Sequence, residues 1–147
     1  MVARVNELVP AELWKERYGH IRDFEELLVE HNTIICKFFL HISKGEQEKR
    51  LLEREQDPKK AWKLSVGDWK ERQLWNEYQQ AYEDAINKCA TPDAPWYVVP
   101  ANNKHYRNVV VAQAIVAALK PFEETWLQKL SKLGEEEKKL LLEFRAK

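Results

Sequence analysis

The run TIICKFFLHI, residues 33–42, limits the fold more than any other stretch. It is β-branched and aromatic, and apolar on both faces except at Lys37. A half-exposed strand alternates apolar with polar residues; this one does not. The pattern predicts a strand buried on both sides, as in a parallel sheet covered by helices. Ser43 follows, with Glu46 three residues on, so a capping box starts a helix over 44–56. Pro58 breaks that helix.

The flanking segments read as helices. Pro10 suits a first helical turn, and Leu13, Trp14, Tyr18, Ile21, Phe24, Leu27 and Leu28 recur at helical spacing up to Asn32. Ser65 caps the next helix, and Trp75, Tyr78, Tyr82, Ala85 and Ile86 form an apolar stripe within 66–89. A second short strand, 96–99, lies between prolines, and Asn102 or Asn103 caps a helix running to Leu119. Residues 121–147 predict one or two charged helices interrupted near Gly134. Helix, strand, helical excursion, strand, helix is an α/β order. Two short strands make a poor sheet, so the chain reads as the second half of a larger α/β domain.

The chain has 147 residues and is 33% charged, with 24 basic and 24 acidic side chains. Zero net charge argues against a general nucleic-acid binder but leaves room for a local basic patch. Cys36 and Cys89 stand in no metal-type spacing and read as reduced thiols of a cytoplasmic protein. The N-terminal MVARVNELVP reads as neither signal peptide nor membrane span. The four glycines never cluster, so no phosphate loop of the G-x-x-x-x-G-K-[ST] kind is present. The four histidines are scattered, with no second catalytic group placed beside any of them.

One cluster stands out. Arg50 and Arg54 share a face of the 44–56 helix with Gln47, and Lys59, Lys60, Lys63, Lys70 and Arg72 follow. Ordinary i,i+4 pairing, Glu46 with Arg50 and Lys49 with Glu53, accounts for part of it. The sharper reading is a set of cations gathered for phosphate. Trp69, Trp75, Tyr78 and Tyr82 fit core packing better than base stacking. Trp62 lies in the break between helices, outside any stripe; it either docks the loop on the body or rests beside a ligand.

The pieces KFFLHISKGEQEKRLLER, DPKKAWKLS, LWNEYQQAYEDAI and APWYVVPANNKHYR, in that order, resemble the C-terminal half of the polyphosphate kinase 2 family. The resemblance covers roughly residues 2–119. Ala61 and Glu55 depart from it in a minor way. It implies a partial P-loop kinase fold like that of thymidylate kinase, predominantly helical. Two short parallel strands, flanking helices and a helical lid at about 44–72 are expected, with a family-like part over 1–120 and a helical extension over 121–147. The implied activity moves phosphoryl groups between inorganic polyphosphate and nucleoside mono- or diphosphates (ATP, ADP, AMP) with Mg²⁺. Arg50, Arg54 and Lys63 are implied phosphate ligands of the lid, with Gln47, Lys60 and Lys104 as weaker candidates. Asp68 is expected to cap a helix, and Pro95 and Trp96 to be structural. The family's Walker A loop and metal-binding aspartates have no counterpart in these 147 residues. No catalytic or metal-ligating residue is therefore expected here, and neither cofactor nor nucleotide is expected to bind tightly. The chain alone is expected to be inactive. The alternative is a non-catalytic interaction module or half of a split enzyme, completed by the family's N-terminal half or by a copy of itself. Neither nucleic acid nor membrane is an expected partner.

Overall fold

The computed structural model describes residues 1–146. In chain order the elements are α1 (Val2–Val5), α2 (Ala11–Glu30), β1 (Lys37–His41) and α3 (Lys44–Gln56). A 3₁₀ turn (Ala61–Lys63), α4 (Val66–Gln73), α5 (Trp75–Cys89) and β2 (Trp96–Pro100) follow. Then come α6 (Lys104–Leu119), a second 3₁₀ turn (Lys120–Phe122) and α7 (Glu123–Arg145). The chain divides into two compact units, Met1–Val111 and a second beginning at Ala112.

In the first unit β1 and β2 form a two-stranded parallel sheet, in register from Lys37 opposite Trp96 to His41 opposite Pro100. The strand is shorter than the apolar run 33–42 suggests, and 33–36 are not in the sheet. Pro95 and Pro100 bound β2, and a proline cannot donate to a ladder, so few rungs are available. Burial on both faces is only partly realised. Phe39 packs on Tyr82 of α5, with ring centroids 4.8 Å apart. Phe38 stacks on Tyr97 of β2, but Leu40 on that same face is 45% exposed.

Lys37, the polar interruption in the run, has a structural use. Its ammonium donates to the Glu25 carboxylate of α2 at 2.6 Å and to the Cys89 carbonyl at the end of α5 at 2.6 Å. It also lies 5.4 Å from the centroid of the Trp96 ring on β2. The pair is nearly buried, with side-chain exposures of 11% and 12%. One cation thus joins two helices and both strands, and its donors meet an ionised partner and a helix C-terminus.

Small residues let α5 come close. Ala81, Ala85 and Cys89 are buried along it, with Val99 and Ala101 at the end of β2 and Leu51 of α3. Burial pushes the Cys89 thiol above its ordinary range. Helix α2 ends where Asn32 takes φ of 62°, and Thr33 N–H returns to the Leu28 carbonyl at 3.0 Å, a Schellman closure with asparagine in the glycine place. Arg4 of α1 donates to Asp84 of α5 at 2.6 Å and lies over Trp14 of α2. Apolar residues of α2, among them Phe24, Leu13 and Leu27, remain exposed. In the second unit α7 runs through Gly134 without interruption, contrary to the break expected there. No helix among the described residues is long and apolar enough to cross a membrane.

Removing one partner of a nearly buried ion pair leaves the other charge uncompensated. Lys37→Met is expected to lower unfolding stability by about 3 kcal/mol. Lys37→Met with Glu25→Met should recover most of that loss, read from urea unfolding followed by circular dichroism.

Candidate functional site

In open α/β sheets, ligands bind beyond the carboxyl ends of the strands. Here those ends are joined by side chains. Ser43 Oγ accepts from the Glu46 N–H at 3.1 Å, the first half of a capping box. The reciprocal half is not made. Ser43 N–H goes to Asn102 Oδ1 at 2.9 Å, and Asn102 Nδ2 returns to Ser43 Oγ at 3.3 Å. The loop after β1 and the loop after β2 are thereby tied. Asn103, the other candidate, supplies the cap of α6 by accepting from the Tyr106 N–H at 3.0 Å.

Arg50 lies on the same junction. Its Nε donates to Glu46 at 2.8 Å, and its Nη2 donates to the carbonyls of Ala101 and Asn102 at 2.8 and 3.0 Å. Nη1 has no partner among the described residues. One turn on, Arg54 Nη1 donates to Asp68 at 2.8 Å and to the Lys63 carbonyl at 3.4 Å. Asp68 was expected as a helix cap. The cap of α4 is Ser65, as expected for that position, with Oγ taking the Gly67 N–H at 3.1 Å, while Asp68 holds Arg54.

The remaining candidates, Lys63 and the weaker Gln47, Lys60 and Lys104, separate. Gln47 accepts from Arg72 at 2.9 Å. Lys60 pairs with Asp57 at 2.7 Å. Lys63 Nζ lies 4.8 Å over the Trp62 ring and makes no ion pair among the described residues. Lys104 opens α6, exposed, on the Asn103 loop. The structure thus brings Arg50, Arg54 and Lys63 onto one stretch, leaves Lys104 at the β2 end of the junction, and spends Gln47 on a neighbour.

Two residues were missed. Asn102 bridges the strand ends, and its only signal was its place just after a predicted strand. Arg72 is 13% exposed and joins α4 to α3 through the Lys44 carbonyl at 2.6 Å, Gln47, and Glu48 at 2.6 Å. It stood in the run of cations, but nothing local marked it as the anchored one. Among the described residues, no three His, Cys, Asp or Glu converge to hold a metal ion.

Beside the junction lies a groove of about 490 Å³, lined by Phe38 to Ile42 of the β1 edge and by Trp75, Tyr78 and Tyr82. At its rim Tyr78 OH donates to the Glu71 carboxylate, and Asn6 Nδ2 donates to the same carboxylate at 3.2 Å. The Tyr78 hydrogen bond, followed by that of Asn6, holds Glu71 below the usual carboxylate range. Burial, then Glu71, pushes Tyr78 up to about 12.

Compared with known proteins, residues 1–126 match the model of Polyphosphate kinase 2 (PPK2). The chain belongs to the polyphosphate kinase 2 family. It is 52% identical over 119 residues to an AMP/ADP-polyphosphate phosphotransferase of Meiothermus ruber, covering 81% of this chain and 45% of that one. It is 45% identical over 108 residues to an uncharacterized protein of Leptolyngbya boryana, covering 74% and 79%. A crystal structure of Polyphosphate Kinase 2 from Arthrobacter aurescens TC1 superposes with a TM-score of 0.79 at 45% identity, covering 83% of this chain and 43% of that one. The chain spans less than half the length of the Meiothermus and Arthrobacter relatives. The parallel pair with its helices is therefore part of the polyphosphate kinase 2 fold, a P-loop kinase architecture, as the sequence motifs implied.

The Glu71 geometry in this family member carries a pH dependence. A carboxyl group depressed by folding stabilises above its unfolded value, near 4, and loses that contribution as pH falls through its folded value. The Asn6 side-chain amide resonances should therefore hold steady from pH 7 to about 5 and move on further acidification. Glu71→Gln should abolish that movement.

Proposed function

We propose that this chain is the lid-bearing part of a polyphosphate:nucleotide phosphotransferase, moving phosphoryl groups between inorganic polyphosphate and nucleoside mono- or diphosphates. The observation that carries the reading is the placing of Arg50, Arg54 and Lys63 on one stretch that begins at the strand ends. Arg50 is held by three acceptors with Nη1 left over, a preorganised donor for a phosphate oxygen. Arg54 exchanges Asp68 for an anion, and Lys63, bound only to a ring face, swings in as a point charge. Lys60 and Lys104 are outer contacts, and Gln47 positions Arg72. Residues 44–72 act as the lid, and 121–147 as a helical extension of a family-like part over 1–120.

Phosphoryl transfer rests on positioning and charge neutralisation by a phosphate loop and metal-bound carboxylates. These 147 residues contain no glycine-rich phosphate loop. In the completed enzyme the family's N-terminal half supplies the phosphate loop and the Mg²⁺ ligands, and the chain alone binds phosphate groups without turnover. Residence in the cytoplasm, with Cys36 and Cys89 reduced, belongs to the same proposal.

A second reading, completion by a partner chain, is favoured by the open β1 edge. Lys37 N–H and the His41 carbonyl face β2, so the Phe38 and Leu40 N–H groups face away from it, on the unpaired edge of β1. Unpaired strand edges beside apolar walls accept another strand. Sedimentation of a monomer at high concentration, without binding of a hydrophobe-sensing dye, would count against a copy of the chain as that partner.

The primary reading is tested by calorimetry with inorganic tripolyphosphate. Arg54→Ala and Lys63→Ala should each weaken binding about five- to tenfold, the scale of one charge-assisted contact. Unchanged affinity in both would remove the lid assignment. A coupled assay of the pure chain with polyphosphate, Mg²⁺ and ADP or AMP should stay at the blank.

A further inference from the structure

Trp62 is the most exposed large hydrophobic side chain of the molecule, at 79%. Its exposure is not that of a loose loop. The 3₁₀ turn that carries it is closed by Lys63 N–H to the Lys60 carbonyl at 2.9 Å and Leu64 N–H to the Ala61 carbonyl at 3.0 Å. Asp57 holds the entrance, taking the Lys60 ammonium at 2.7 Å and the Lys59 N–H at 3.0 Å. Arg54 reaches the exit at the Lys63 carbonyl.

The other aromatic side chains of the region are engaged. Trp69 donates to Glu55 at 3.1 Å, Tyr78 is bound to Glu71, and Tyr82 packs on Phe39. Trp62 makes no hydrogen bond or ring stacking with the body among the described residues and is 79% exposed, so the docking alternative for this residue is not realised here. One face of its ring lies beneath the Lys63 ammonium at 4.8 Å. With that face taken and the side chain so exposed, the opposite face is open.

An open indole face beside cations suits a ligand that carries both an aromatic plane and phosphates. An inorganic polyphosphate chain has no π-face and needs only the cations. Building on the lid reading above, we propose that Trp62 stacks the base of the nucleotide substrate while Lys63 takes one of its phosphates. Trp62 then separates the two substrates of the reaction: it contributes to nucleotide binding and is indifferent to polyphosphate.

The test compares the full chain with Trp62→Ala and Trp62→Phe, titrated separately with ADP and with inorganic tripolyphosphate. Calorimetry and tryptophan emission are the readouts. Alanine should weaken ADP about tenfold and phenylalanine far less, with tripolyphosphate unchanged in both, and the ADP-induced quenching should vanish in both variants. Equal loss for ADP and tripolyphosphate would mean that Trp62 acts only by holding Lys63, and would overturn the stacking role. So would an alanine variant that binds ADP normally. A wild-type chain that binds tripolyphosphate but not ADP overturns this inference and leaves the lid reading standing; one that binds neither overturns both.

Discussion

The Lys37 ammonium is the point on which the first unit depends. A strand apolar on both faces does not choose its neighbours sharply, because any greasy surface satisfies it. A single cation inside that strand does, since burial demands a carboxylate and a further acceptor at fixed positions. Glu25 comes from α2, the Cys89 carbonyl from the end of α5, and the ring beneath from Trp96 on β2. These partners set where both helices lie against the sheet and support the start of the β1–β2 register. The opposite end of that register, from His41 to Asn102, is where the run of cations proposed as phosphate ligands begins.

At that end the same economy of donors is visible. Arg50 and Asn102 close the two strand-end loops on each other, and Arg72 fixes α4 to α3. The charges farther out are held more loosely: Arg54 by one carboxylate, Lys60 by another, Lys63 by a ring. Freedom thus increases from the strand ends outward. That gradient suits a flap whose root must stay put while its cations change partners, since partly exposed ion pairs cost little to exchange.

Most of the helix order, the parallel pair and the caps at Ser43, Ser65 and Asn103 were legible because their causes are local, whereas the short α1 and the break at Leu74 that divides 66–89 into α4 and α5 were not. Period and capping chemistry lie within a few residues of each other. The length of β1 was not, because pairing length depends on β2, some sixty residues away and bounded by prolines. Gly134 failed as a stop for α7 because one glycine costs a helix only about 1 kcal/mol and needs a second breaker beside it. In the site, the shared face of Arg50 and Arg54 could be read from i,i+4 spacing. The acceptors that hold Arg50 lie on backbone carbonyls at 101 and 102, which no pattern around residue 50 announces. Trp62 was visible as an aromatic outside any stripe; that it faces water rather than the body is a property of the folded turn.

The central claim is that a rigid half-sheet presents a cationic flap to phosphate chains. Nitrogen-15 NMR of the intact chain, titrated with inorganic tripolyphosphate, tests it most directly. The account predicts shifts concentrated at the Arg54 Nε–H and the amides of residues 57–64, with the amides of β1, β2 and α5 unmoved. Shifts confined to α7, or spread evenly over the sheet and its helices, would contradict it.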